Sequence, residues 1–154
     1  MSWRWCNKLP VKAFVGDHKG SAAVEFAMVL TPMMLLLFGG IEAGRVLWMR
    51  HALEKVATTS ARCIGIRGND CSTGGAFDAA RALSYVQTQA AGMGIRLEQV
   101  DIDVRDSATC HGAAGFSQVV VTKTLYSAVP LLVDFLSSAN HQLSAQACFP
   151  TQQA

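Results

Sequence analysis

The sequence predicts a membrane-anchored α+β fold. A long N-terminal helix, transmembrane in its first half, packs on a small antiparallel sheet of about three strands, with a second, shorter helix. Three observations predict it. A run with one charge extends from Ser21 to Ile41, an apolar stripe at helical spacing continues to Cys63, and after Gly94 the apolar period falls to two. With 154 residues there is room for one ordinary domain beside the membrane segment. A hydrophobic share of 51% with only 16% charged residues fits one very apolar segment joined to an ordinary remainder.

Residues 1–20 are basic and broken by Pro10, Gly16 and Gly20, with no helical stripe of useful length. They read as a cytoplasmic leader. Arg4, Lys8, Lys12 and Lys19 stand there against Asp17 alone, whereas beyond Gly20 nine basic residues face ten acidic ones. The chain's positive excess therefore lies wholly before the apolar run. That is a topology signal placing the N-terminus in the cytoplasm, and it excludes the basic folded face that a nucleic-acid partner requires.

Residues 21–41 form the expected transmembrane helix. Twenty-one residues at about 1.5 Å each give roughly 30 Å, the thickness of a bilayer core. Glu25 is the single charge, and Pro32 removes one backbone hydrogen bond and invites a kink. Gly40-x-x-x-Gly44 has the spacing of a close helix contact. Beyond the membrane, Val46, Met49, Leu53, Val56, Ser60 and Cys63 keep one mostly apolar stripe. Glu42 and Arg45 have the spacing of an i,i+3 pair. The helix is expected to end near Gly65 or Gly68.

Residues 42–154 then form the exported domain. Gly, Asn, Asp and Ser mark 66–75 as a loop, and a second helix is expected from Ala76 to about Ala91 with Ala79, Leu83, Val86 and Ala90 on one face. Gly92 and Gly94 terminate it. Three strands follow, marked by Val100, Ile102 and Val104, by Val119, Val121 and Leu125, and by Leu143, Ala145 and Ala147. The connection over 127–140 is unusually apolar, and Leu131–Leu136 is a subunit contact, a membrane-surface anchor or core.

Removing the leader removes Cys6 and leaves Cys63, Cys71, Cys110 and Cys148, an even number consistent with two disulfides outside the cytoplasm. Of three possible connectivities, 63–71 with 110–148 is the first choice. A zinc site using these cysteines with His111 has the wrong spacing and compartment. Asp101, Asp103 and Asp106 read as a solvated strand face rather than a calcium loop. The histidines have no recognisable spacing with Ser or acidic residues, so neither catalysis nor a metal or other cofactor is expected.

The junction itself is the informative motif. An acidic residue just inside a membrane span costs a few kcal/mol unless partnered. Cleavage after Gly20 creates an α-amine on Ser21, with a reference pKa of about 7.7–8, four residues from Glu25. The basic leader, Gly20, the small residues 21–23, the Glu25-Phe26 pair and the apolar helix resemble the processing site of type IV prepilins. With Gly40, Glu42, Gly44 and Arg45, they look more specifically like TadE-like minor pseudopilins of the tight-adherence (Flp) pilus system. The dense likeness covers about residues 19–62.

That resemblance implies cleavage between Gly20 and Ser21 by a prepilin peptidase, with Glu25 supporting processing or assembly. It implies as partners other pilin-like subunits and the pilus assembly machinery, and as location the bacterial inner membrane, crossed once, with the C-terminal domain periplasmic or extracellular. A mature chain of 134 residues exceeds a bulk Flp pilin and points to a minor subunit. The competing expectation is an uncleaved, signal-anchored periplasmic binding module.

Overall fold

A computed structural model describes residues 21–125 and 142–152. The expected leader over 1–20 and the apolar connection, with Leu131–Leu136, lie outside the described residues.

A single helix, α1, runs from Ser21 to Gly65 and contains Pro32. Two compact units divide the chain, residues 1–38 and 39–154. In the first, the helix carries exposed apolar side chains, among them Val24, Phe26, Met28, Val29, Leu35 and Leu36. In the second, Val46, Leu53, Val56, Ser60 and Cys63 are buried as the stripe predicts, and Met49 packs against them half-buried. Ala52, Ala57, Ala61 and Ile64 widen that stripe into a broad core-facing surface.

The end of α1 falls where the glycines predict, but a different residue makes the turn. The Gly68 N–H donates to the Cys63 carbonyl at 2.9 Å and the Arg67 N–H to that of Ile64 at 3.1 Å. These two bonds form a Schellman cap, and its left-handed position is Arg67, at φ 56°. A non-glycine residue there is strained by about 1–2 kcal/mol. The Arg67 side chain is held there by Asp106 at 2.9 Å.

The expected loop over 66–75 contains a small hairpin. β1 (Ser72–Thr73) pairs with β2 (Ala76–Phe77), and Gly74 and Gly75 between them both have positive φ, 61° and 81°. Two consecutive positive φ values define a type I′ turn, for which Gly-Gly is well suited. The second helix therefore starts later than the sequence predicts, at Ala79, and α2 spans Ala79–Gly92. Asp78 sets that boundary. Its Oδ1 accepts from the Ala80 and Arg81 N–H groups at 3.0 and 3.2 Å, while Thr73 donates to its Oδ2 at 2.7 Å.

The buried face of α2 is also rotated from expectation. Ala82, Val86 and Ala90 are buried, Leu83 is partly covered and Ala79 is exposed. Gly94, at φ 73°, closes the helix as predicted, with the Ile95 N–H reaching the Ala90 carbonyl at 2.9 Å.

Three antiparallel strands follow: β3 (Ile102–Cys110), β4 (Ala113–Thr124) and β5 (Gln142–Pro150), in that spatial order. Ile102 pairs with Val121, Val104 with Val119, and these two valines with Ala145 and Ala147, so the alternating residues share one face. Val100 does not join them. It sits in a 3-10 turn over Gln99–Asp101, 86% exposed, because the Asp101 carboxylate accepts from the Glu98 N–H at 3.1 Å and closes the turn. His111 and Gly112, both at positive φ, make the tight β3–β4 turn. Register shifts between Arg105 and Cys110 interrupt the β3 edge, with Ser107 at φ 62°.

Disulfides join Cys63 to Cys71 and Cys110 to Cys148, the pairing put first from the sequence. The first fastens the end of α1 to the residue before β1. The second links β3 to β5 across β4.

Candidate membrane-anchoring and processing segment

Gly20 lies outside the described residues. Ser21 is the first residue of α1, and Glu25 and Phe26 follow one turn along the same helix. Phe26 is 66% exposed. The most apolar stretch of α1 has a mean hydropathy of 1.9, and among the described residues none of it is buried. A helix apolar all round, its side chains exposed, suits lipid or another apolar surface. By length and composition it can cross a membrane, which fits a single-pass anchor. Pro32 leaves the Met28 carbonyl without its helical donor, and the Thr31 hydroxyl one residue earlier bonds the Ala27 carbonyl at 2.9 Å.

Gly40 and Gly44 lie in α1 with open space beside them. A Cβ at either position would meet nothing within 4 Å. Gly65 is the opposite case, where a Cβ would fall 2.9 Å from the Pro150 carbonyl oxygen and against the Phe149 ring. The fold of this chain thus requires glycine at 65 and does not require it at 40 or 44. No ion pair joins Glu42 to Arg45 among the described residues; further along the helix, Glu54 takes both Arg50 (3.2 Å) and His51 (3.5 Å).

Within the domain, a polar cluster emerges that sequence spacing does not signal. Arg67 holds one Asp106 oxygen, Ser117 donates to the other at 3.3 Å, and Ser117 and Thr151 share a hydrogen bond of 3.0 Å. Ser117 is fully buried. The cluster ties the end of α1, the irregular part of β3, β4 and the segment after β5 to one another. Its members lie up to 84 residues apart in sequence, so only the fold brings them together.

The three aspartates weighed as a calcium loop each face a different base: Asp101 meets Lys123 at 3.5 Å, Asp103 meets Arg105 at 2.7 Å, and Asp106 meets Arg67. Among the described residues no three His, Cys, Asp or Glu side chains gather as a metal-holding group. A shallow depression lined by Asp70, Ser84, Tyr85, Thr88 and Gln89 gathers hydroxyls, one amide and one carboxylate.

Residues 20–62 match the family model for TadE-like protein. This segment is TadE-like. The match begins at Gly20, takes in Glu25, Phe26, Gly40 and Gly44, and ends three residues short of the end of α1. No curated protein and no solved structure matches the chain. The TadE-like likeness thus belongs to α1, and the domain beyond Gly65 stands on its own geometry.

Proposed function

We propose that the protein is a minor, pilin-like structural subunit of a tight-adherence (Flp) pilus or a related secretion apparatus, cleaved between Gly20 and Ser21 by a prepilin peptidase. The observation that carries this reading is the TadE-like match beginning at Gly20, on a helix whose apolar side chains are exposed among the described residues. In this reading the basic leader keeps the precursor's N-terminus in the cytoplasm. The span holds the subunit in the bacterial inner membrane, and the disulfide-bonded domain lies outside the cytoplasm, where such bonds persist.

After cleavage the Ser21 α-amine is largely protonated at neutral pH, with a reference pKa of about 7.7–8. Glu25, one helical turn on, neutralises such an amine in its own chain or in a neighbour's. In low dielectric that pairing sets register between helices more than it adds stability. Gly40 and Gly44 offer a smooth surface for a neighbouring pilin-like helix. The role is that of a building part and a peptidase substrate, not of an enzyme.

N-terminal sequencing of protein purified from membranes tests the reading. Ser21 as the mature end is the expected result; Met1 or Ser2 would overturn it in favour of an uncleaved, signal-anchored binding module. Glu25→Ala is expected to leave the protein in the membrane but impair assembly. Normal pili from that variant would refute the pairing role.

A further inference from the structure

The apolar surface of α1 does not stop at Ile41. Val46 is buried in the domain, yet the next two residues are not: Leu47 is 50% and Trp48 53% exposed. Arg45 and Arg50 flank them, both exposed. A large aromatic and a leucine left in the open between two arginines, on a helix whose adjacent turns already bury a full core stripe, are unexplained by the fold. They continue the apolar run that fits a membrane anchor.

From this arrangement we infer that Leu47 and Trp48, with Arg45 and Arg50, form an interfacial anchor seated in the phospholipid headgroup layer on the domain side of the membrane. The inference rests on α1 spanning the membrane, and not on cleavage at Gly20. Nineteen residues separate Glu25 from Arg45, within the range of about 17–25 that a bilayer core requires. The outer boundary of the span thereby falls between Ile41 and Arg45, with the Glu42 carboxylate at the interface rather than inside the hydrocarbon.

Trp48 lies three residues beyond Arg45, about 4.5 Å along the helix. That is within the headgroup region, which adds roughly 5–8 Å to each side of the hydrocarbon core. The indole is suited to this layer because its ring is apolar and its N–H needs a polar partner. The guanidinium of Arg45 suits lipid phosphate, as does that of Arg50, which also holds Glu54 in the i,i+4 pair. Leu47, half exposed on the same turn, enters the acyl-chain boundary.

The chain contains three tryptophans, at positions 3, 5 and 48, so Trp48 can be isolated as a depth gauge. The full-length protein carrying Trp3→Phe and Trp5→Phe is reconstituted in phosphatidylcholine–phosphatidylglycerol vesicles. The acyl chains are brominated either near the headgroup or near the tail end. The expected result is blue-shifted emission, quenched more by shallow than by deep bromines and only partly by aqueous iodide. Arg45→Glu, an exposed substitution, is expected to lower the shallow quenching; unchanged quenching would overturn the phosphate contact.

Three other outcomes overturn the anchor. Full access to iodide without bromine quenching puts Trp48 in water. Strongest quenching by deep bromines puts it inside the hydrocarbon. Protection from all three quenchers means that another protein copy covers it. Flotation with the vesicles after alkaline extraction separates the two failures: protein that does not float refutes the span and the anchor together, while floating protein with a water-exposed Trp48 refutes the anchor alone.

Discussion

Gly65 and Gly44 are both glycines of α1, yet they sit in opposite surroundings. At Gly65 the helix end approaches the end of β5 so closely that the Gly65 carbonyl accepts the Gln152 N–H at 2.8 Å, and an added Cβ would press on the backbone of Pro150. Gly65→Ala is expected to destabilise the domain by about 1–3 kcal/mol, the usual cost of overpacking, and to lower Tm by several degrees in a thermal melt. Gly44→Ala, with nothing within 4 Å, is expected to leave the melt unchanged. Any assembly defect it causes then reports on contacts with another molecule. Asp78 gives a pH signature at the same scale. The Thr73 hydroxyl, together with the Arg81 and Ala80 N–H groups and the Arg81 charge, holds its carboxyl below the ordinary value of 3.8. A depressed folded value means that the ionised group stabilises the fold above 3.8 and that this contribution is lost as pH falls through the lower folded value. The difference in Tm between the wild type and Asp78→Asn is therefore expected to hold steady at pH values well above 3.8 and to shrink as pH falls below it. A constant difference across the acid limb would show that the charge plays no part.

At the scale of elements, the two disulfides constrain different things. Cys63–Cys71 closes a short loop and Cys110–Cys148 a long one, with sequence separations of 8 and 38. The chain-entropy model assigns them about 2.6 and 3.9 kcal/mol. Replacing Cys110 and Cys148 by alanine is expected to lower the denaturation midpoint more than replacing Cys63 and Cys71, as urea unfolding would measure. The reverse order would mean that the short bridge, by holding the end of α1, governs the domain. How far these elements could be read from the sequence follows from the range of the forces that form them. The α1 stripe, the strand alternation around Ile102, Val119 and Ala145, and the Gly94 stop are local patterns, and each stands where periodicity puts it. The β1–β2 hairpin was missed because two-residue strands have no period, although Gly74-Gly75 is a hairpin signal. Val100 was assigned to a strand because its alternation with Ile102 outweighed the side-chain turn that Asp101 makes with Glu98. The Arg67–Asp106–Ser117–Thr151 cluster left no trace in the sequence, since its members meet only when helix end and sheet have docked. At the candidate site, the Glu25-Phe26 pair stands out in the sequence because a charge inside an apolar run is conspicuous. Trp48 does not, because its exposure becomes visible only once the core-facing side of α1 is known.

At the scale of the whole molecule, the boundary between the two compact units falls inside one continuous helix, and this gives an expectation about truncation. The core residues run from Val46 to Ala145, and both disulfides lie between Cys63 and Cys148. A chain beginning at Gly39, the start of the second compact unit, keeps all of them. It is expected to fold outside the cytoplasm with both disulfides formed and to melt cooperatively. Starting the chain at Val56 removes Val46, Ala52 and Leu53, all of them buried, with Leu53 fully so. Truncating one buried leucine to alanine costs about 2–5 kcal/mol, against a total stability of about 5–15 kcal/mol for a typical domain. Losing all three side chains and the helical turns that carry them is therefore expected to abolish folding, seen as a lost cooperative transition and scrambled disulfides. If the shorter chain folds as well as the longer one, the second half of α1 is a stalk rather than part of the core. If the longer chain fails, the domain depends on the first 38 residues for its stability. The folded Gly39 chain also retains Arg45, Leu47, Trp48 and Arg50 without the apolar span. It is expected to bind anionic vesicles weakly and to be released by salt, because the arginine contribution is screened within a Debye length of about 8 Å at physiological ionic strength; co-sedimentation at low and high salt measures this. Binding insensitive to salt would assign the attraction to the apolar side chains alone.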